Sequence, residues 1–401
     1  MLKQLRENYH QSLFPNSTLF NTNTTLDKST SKRIASLHRS TNANSDVEFI
    51  MKNQAVFYSV DVAIGSDSNV VTVLLDTGSS DFWVMSPKNP YCAAGTGGAS
   101  QSTLGSGQYN SSVDSDLTGY GSIDCSEFGT FDPSDSSSWH NNGSSFYIEY
   151  VDQTFSEGTW GYDEIQIGGV NIPDVNIAVC NNTDSDVGVL GISYAELEST
   201  NTRRNHHTYM NLPLTMKSQG MISKLTYSVY LDDPDAETAS ILFGAIDQNK
   251  YTGDLALMPI VKDWDYDVSG TSQPSTIDVT ISDMSMGSKN SNKTIKFASG
   301  AAAGLLDTGT TLMYVPDTVL NAIIEIGAFS PAGSSGFVIV DCGLGDDYYL
   351  SFNFQGFNVD IPFKNLFFGQ ADTSENTCYL GVLSSGNDKF ILGDVFLTSV
   401  Y

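Results

Sequence analysis

The sequence predicts a mainly β protein of two similar lobes with a few short helices. Three observations carry this: a composition that favours strands and turns, a scarcity of helical periodicity, and a short motif that occurs twice. The 401 residues suffice for two domains of ordinary size, each with its own core. Hydrophobic residues make up 40 % and charged residues 16 %, which describes a folded chain. Gly (35), Tyr (19) and Phe (21) are plentiful, and that mixture suits strands joined by turns.

Residues 1–53 are polar, basic in places and weakly periodic, and order is expected from about Ala55. Val60, Val62 and Ile64 then alternate with Ser59, Asp61 and Ala63, a half-buried strand ending at Gly65. Val70 to Leu75 is a buried strand running into Asp76. A long Ser- and Gly-rich loop is expected from Pro87 to about Gly129. Further strands follow at Phe146–Tyr150, Gly158–Gly168 and Val175–Val179. Residues 201–207, Asn-Thr-Arg-Arg-Asn-His-His, form a basic island in an acidic chain and read as an exposed loop. The best helix signal starts at Pro316-Asp317, places Val319, Leu320, Ile323 and Ile324 on one face, and stops at Gly327. Leu214–Gly220 is a shorter candidate.

The repeat carries the chemistry. Val73-Leu74-Leu75-Asp76-Thr77-Gly78-Ser79-Ser80 is echoed by Gly304-Leu305-Leu306-Asp307-Thr308-Gly309-Thr310-Thr311, the aspartates lying 231 residues apart. Downstream of each comes apolar-apolar-Gly: Val189-Leu190-Gly191 and Ile391-Leu392-Gly393. The order points to an internal duplication. One Asp-Thr-Gly is usually only a turn, whereas two, each after an apolar strand, point to a pair of carboxylates. Two carboxyl groups facing each other at buried strand ends cannot both ionise cheaply, so they share a proton. The ionised one can take a proton from water while the protonated one donates to a peptide carbonyl. Gly78 and Gly309 let backbone N–H groups approach, Ser79 and Thr310 can bond the outer oxygens, and Thr77 and Thr308 can reach across and lock the lobes. This chemistry needs no metal, cofactor or covalent nucleophile.

The net charge of −27 and a pI near 4.2 disfavour nucleic acid and anionic membranes as partners and suit service in acid. No apolar stretch is long enough for a transmembrane helix. The five cysteines, Cys92, Cys125, Cys180, Cys342 and Cys378, contain no CxxC pair, which leaves two disulfides and one thiol as the economical account. Cys92 and Cys125 stand at the two ends of the long loop and would tether it. Sequons begin at Asn16, Asn23, Asn110, Asn142, Asn181 and Asn292. With the cysteines they lean toward a secreted or surface glycoprotein. Residues 1–30 hold no apolar run of signal-peptide length. The dibasic Lys32-Arg33 would suit processing that leaves Ile34 first.

With these motifs the chain resembles the pepsin-like aspartic proteases of fungi, the candidapepsin and yapsin groups in particular. The resemblance runs from about Phe57 to Tyr401. It includes Phe82-Trp83-Val84, Gly129-Thr130-Phe131-Asp132-Pro133, Gly158-Thr159-Trp160-Gly161, Tyr227 to Leu231, Phe243 to Asp247 and Ile391 to Leu397. It implies a bilobal pepsin-like double-ψ β-barrel fold, a cleft between the lobes and a hairpin flap over it. Residues 1–33 would be a leader or pro-segment, 34–247 the lobe with the flap and Asp76, and 248–401 the lobe with Asp307. The resemblance implies catalytic roles for Asp76 and Asp307 and a flap tyrosine at Tyr150 bonded to Trp83, with Asp152 beside it. It also implies disulfides Cys92–Cys125 and Cys342–Cys378, and it leaves Cys180 as a buried free thiol. The expected activity is that of an aspartic endopeptidase, a monomer acting on proteins or peptides at acidic pH.

Two departures stand out. The family usually has Gly-Asp-Gly or Gly-Thr-Gly after the flap tyrosine, whereas Val151-Asp152-Gln153 stands here; Val supplies a positive φ badly. The family's last strand also continues beyond the position of Tyr401, so an incomplete chain is expected. The main alternative is therefore an impaired relative that binds peptides as a decoy. A phosphorylated-aspartate loop of the ion-pumping ATPase kind would need Lys after the aspartate, where Thr308 stands.

Overall fold

The computed structural model describes residues 46–93, 121–201, 207–262, 274–291, 293–332, 336–372 and 375–401. The leader, the Lys32-Arg33 pair, Ile34, the sequons at Asn16, Asn23, Asn110 and Asn292, and most of the basic island lie outside these residues. Asn142 and Asn181 are both exposed.

Ten strands form the first sheet system: β1 (Val47–Asn53), β2 (Tyr58–Ile64), β3 (Asn69–Asp76), β4 (Phe82–Met85), β5 (His140–Glu149), β6 (Phe155–Ile167), β7 (Val170–Thr183), β8 (Gly188–Gly191), β9 (Tyr227–Tyr230) and β10 (Thr238–Phe243). Their order is β5-β6-β7-β4-β8-β3-β2-β1-β10-β9, and a further β6–β2 pairing closes β2, β3, β8, β4, β7 and β6 into a barrel. Closure leaves those six strands without a free edge. Phe49, Val62, Ile64, Leu75, Ile177 and Leu190 fill the interior around them. Residues 260–392 build a second set of sheets, with its own core around Met284, Met313, Ile323, Phe352 and Leu392.

β1 corrects the expectation that order starts at Ala55. Val47, Phe49, Met51 and Asn53 point inward and Glu48, Ile50 and Lys52 outward, and the strand pairs antiparallel with β10. The outward Ile50 blurred the period-2 signal, and the partner lies nearly 200 residues downstream, beyond any local pattern. Ala55 instead takes a left-handed turn at φ 69 that swings the chain from β1 into β2.

The other elements shift by a few residues. The strand expected from Phe146 begins at His140, across a bulge between Asn141 and Ser145 where Gly143 has φ 76. α1 (Leu212–Ser218) starts earlier than Leu214 because Asn211 caps it and Pro213 fits its first turn. α2 (Asp317–Gly327) buries Val319, Leu320 and Ile323 as expected, but Gly327 still belongs to it. The left-handed cap is Ala328 at φ 52. Among the described residues no helix is long and apolar enough to cross a membrane.

Cys92–Cys125 and Cys342–Cys378 are bonded, with Cα–Cα distances of 5.4 and 5.2 Å, and Cys180 is a buried free thiol. The second bridge ties the strands Val338–Asp341 and Thr377–Leu380 beside their pairing of Val340 with Cys378. Replacing both Cys342 and Cys378 with Ala is expected to cost about 2–4 kcal/mol through the freer unfolded chain. Denaturant titration of the double variant checks this. A loss under about 1 kcal/mol would mean that the sheet alone fixes this region.

Candidate active site

Each Asp-Thr-Gly turn sits at the end of a strand, but the expected burial of Val70–Leu75 is corrected: β3 alternates, with Val70 52 % exposed and Val71, Val73 and Leu75 buried, and Leu305 and Leu306 are half-buried. β3 ends in Asp76, and the strand Lys293–Leu306 ends one residue before Asp307. The downstream echoes prove to be the parallel neighbours of these strands. β8 pairs with β3 so that Leu190 faces Leu75 and Gly191 faces Asp76. In the second lobe Leu392 faces Leu306, and Leu392 O accepts the Asp307 amide at 3.2 Å. Two copies of one local structure thus deliver the two aspartates to the lobe junction.

The contacts there are nearly symmetric. Gly78 N donates to Asp76 Oδ1 at 2.7 Å, and Gly309 N to Asp307 Oδ1 at 2.8 Å. Ser79 Oγ donates to Asp76 Oδ2, and Thr310 Oγ1 donates to Asp307 Oδ2 at 2.6 Å. Thr77 Oγ1 donates to Leu306 O at 2.9 Å and accepts the Thr308 amide at 3.0 Å. Thr308 Oγ1 returns both bonds, to Leu75 O at 2.8 Å and from the Thr77 amide at 3.1 Å. Each threonine hydroxyl therefore satisfies a buried carbonyl and a buried amide of the opposite lobe. Each glycine lies against the other lobe's carboxylate. A Cβ on Gly78 would stand 2.4 Å from Asp307 Oδ1, and one on Gly309 2.3 Å from Asp76 Oδ1.

Asp76 and Asp307 are 6 % and 8 % exposed, so water offers them little solvation. Burial first, then the charge of Asp307, raises Asp76 from 3.8 to about 8, while the Ser79 and Gly78 bonds pull it down. Asp394, also buried, is held well above its ordinary value by burial, then by Asp307 and Asp76.

β5 and β6 form the hairpin that carries Tyr150 and Asp152. Its tip is a three-residue loop: Tyr150 N donates to Thr154 O at 2.8 Å and Gln153 N to Tyr150 O at 2.9 Å. The positive φ, 70°, falls on Gln153 and not on Val151. Val151 instead points into solvent at 79 % exposure. This corrects the expectation of strain at Val151: a turn followed by one left-handed residue spares the β-branched position. Trp83 Nε1 donates to Tyr150 Oη at 2.8 Å. Burial, then Asp76, pushes the Tyr150 hydroxyl well above its usual range. Asp152 Oδ1 accepts from Thr154 N and Oγ1 at 3.0 and 2.7 Å. Burial first, then the Asp152 charge, raises Tyr314 of the second lobe.

Sequence reasoning missed Asp81, Glu198 and Tyr209, which gather behind Asp76. Asp81 lies five residues past Asp76 and could have been suspected from that spacing. Glu198 had no such signal, because a lone glutamate in a polar stretch reads as solvated.

A model of the eukaryotic aspartyl protease family matches residues 57–401. The chain belongs to that family. Among curated relatives of this aspartyl protease, it is 37 % identical over 399 residues to Aspartic proteinase 3 of Saccharomyces cerevisiae, covering 88 % of this chain and 68 % of that protein. It is 33 % identical over 368 residues to Aspartic proteinase yapsin-3 of Saccharomyces cerevisiae, covering 90 % of this chain and 66 % of that one. It is also 33 % identical over 368 residues to Candidapepsin of Candida tropicalis, with coverages of 92 % and 81 %. The chain thus spans about two thirds of the length of the two Saccharomyces relatives. The crystal structure of an aspartic proteinase from Irpex lacteus superposes with a TM-score of 0.65, covering 88 % of this chain and 92 % of the other. At 20 % identity that match speaks for the shared mainly β fold.

Proposed function

We propose that this aspartyl protease hydrolyses internal peptide bonds with Asp76 and Asp307 acting as one proton-sharing pair. The observation that carries the reading is the reciprocal packing of each carboxylate against the other motif's glycine. In that geometry the two carboxyl groups face each other, and a side-chain hydrogen bond between them helps raise Asp76. One carboxylate takes a proton from the attacking water and the protonated partner donates to the peptide carbonyl. Gly78, Ser79, Gly309 and Thr310 orient the carboxyl planes, and Thr77 and Thr308 keep the lobes in register. Tyr150, braced by Trp83, with Asp152 at the hairpin tip, covers the bound peptide. The substrates are proteins or peptides, and the protein acts as a monomer, secreted or at the cell surface. The two disulfides support an oxidising location.

The test is cleavage of a mixed peptide library at mildly acidic pH with and without pepstatin. Pepstatin-sensitive cutting is expected. Its absence would favour a peptide-binding decoy. The pH profile checks the pair itself. Asp76, raised from 3.8 to about 8, keeps the shared proton through the acidic range and surrenders it as pH rises through about 8. Activity is therefore expected at acidic pH and to disappear on the alkaline side. A rate maximum above about pH 8 would sink the shared-proton mechanism.

A further inference from the structure

The segment bearing Asp76 is gripped from two sides. The opposite lobe holds one side through the paired threonines, and residues 191–201 with Tyr209 hold the other. Ile192 N donates to Asp76 O at 2.9 Å, Ser193 N to Ser79 O at 2.8 Å, and Gly191 N to Asp81 O at 3.0 Å. Ser80 Oγ donates to Tyr194 O at 2.6 Å. The seam is close enough that a Cβ on Gly191 would stand 2.6 Å from the Asp81 amide nitrogen.

Two carboxyl groups are sealed into this seam. Asp81 is 1 % exposed and Glu198 is 0 %. Asp81 Oδ1 accepts from Tyr209 Oη at 2.7 Å, and its Oδ2 accepts from Ser199 N at 2.9 Å. Glu198 Oε2 accepts from Tyr209 N at 2.7 Å, whereas its Oε1 is buried with no hydrogen-bond partner. Tyr209 links the two carboxyls, and its ring packs on Trp160 at 4.9 Å. Trp160 belongs to the apolar cluster that also contains Trp83, the residue that braces Tyr150. A charged carboxylate could not stay in such a place with one oxygen unpaired, whereas a protonated carboxyl can.

We propose that Glu198 is a positioning residue: in its uncharged form it holds residues 191–201 and Tyr209 against the dyad segment through Asp81 and Tyr209, and its ionisation loosens that seam. The proposal rests on the reading of Asp76 and Asp307 as the reactive pair. Glu198 faces Asp81 from the dyad segment, Tyr209 from its own loop, and Glu196 from its own turn. Tyr150 of the flap hairpin and Cys180 of β7 in turn face Asp81. Burial first, then Asp81 and Glu196, raise Glu198 from 4.5 to about 9 against the pull of the Tyr209 amide. The folded protein thus keeps a proton that the unfolded chain releases above 4.5. The stability this contributes is complete below that value and is lost as pH rises through about 9.

The experiment compares the full chain with Glu198→Gln and Tyr209→Phe. Thermal unfolding is followed by tryptophan fluorescence across mildly acidic to alkaline pH, alongside peptide cleavage. Gln keeps the shape and stays neutral, so its Tm should fall less with rising pH than that of the unmodified protein. It should also retain several-fold more activity after an alkaline incubation. Tyr209→Phe removes the bond to Asp81, and its kcat should drop about tenfold with KM little changed. A Glu198→Gln protein that follows the unmodified pH dependence of Tm overturns the proposal. So does a Tyr209→Phe protein with unaltered kcat and Tm, which keeps the test decisive should Glu198→Gln fail to fold. The Tm comparison needs no catalysis. An unmodified protein that cleaves nothing would therefore count against the dyad reading alone, while the Tm curves still judge the seam.

Discussion

Asp76→Asn is expected to lower kcat by about 10³-fold or more, with peptide binding largely kept. The substitution preserves shape: its amide oxygen can still accept the Gly78 N–H, and its NH2, standing in place of Oδ2, can donate to Ser79 Oγ. What it removes is the shared proton. Asparagine has no acidic proton to give the peptide carbonyl, and Asp307 loses the partner that makes the pair work as acid and base at once. Asp307→Asn should do the same, and the double variant should be little worse than either, because the pair acts as a unit. Steady-state kinetics on one good peptide, with pepstatin binding as the control for an intact cleft, decides the matter. An Asp76→Asn protein within tenfold of the unmodified rate would remove Asp76 from the mechanism.

Gly78→Ala is expected to cost about 10²-fold in kcat and about 1–3 kcal/mol in stability. The added methyl would lie 2.4 Å from Asp307 Oδ1 and 2.6 Å from its Cγ, far inside van der Waals contact. Asp307 cannot swing away without breaking the bonds from Gly309 N and Thr310 Oγ1. The lobes cannot part without breaking the four bonds of Thr77 and Thr308. The displacement therefore falls on the relative position of the two carboxyls, where about an ångström is enough to forfeit that factor. Gly309→Ala should mirror it, since its methyl would meet Asp76 Oδ1 at 2.3 Å. Kinetics and a melting curve on both variants test this. Near-normal rates in both would show that the junction yields without disturbing the pair.

Much of the candidate site was legible because its determinants are local. An apolar run ending in Asp-Thr-Gly places a carboxylate at a strand end whatever the rest of the chain does, and a second copy announces a partner. The echoes Val189-Leu190-Gly191 and Ile391-Leu392-Gly393 were visible as a pattern, and the parallel pairing beside each aspartate gives that pattern its cause. Less legible was anything that depends on remote partners. β1 lies in the weakly periodic stretch before Ala55 because its partner β10 lies far downstream and Ile50 spoils its alternation. At the tip of the β5–β6 hairpin, composition pointed to strain at Val151, but hairpin geometry moved the left-handed residue to Gln153.

By itself the sequence determined which residue types stand at which strand ends: the two aspartates, their glycines and hydroxyls, the cysteines and the mainly β plan. These follow from chain-local preferences of strands and turns, which need no knowledge of what lies across the fold. Only the tertiary structure decided how far water is excluded and which groups meet. It set Gly78 against Asp307, raised Asp76 by burial and a neighbour's charge, and sealed Glu198 beside Asp81, more than a hundred residues away in the chain. Desolvation and Coulomb interaction depend on distance in space, and the order of residues along the chain does not fix that distance until the lobes have closed.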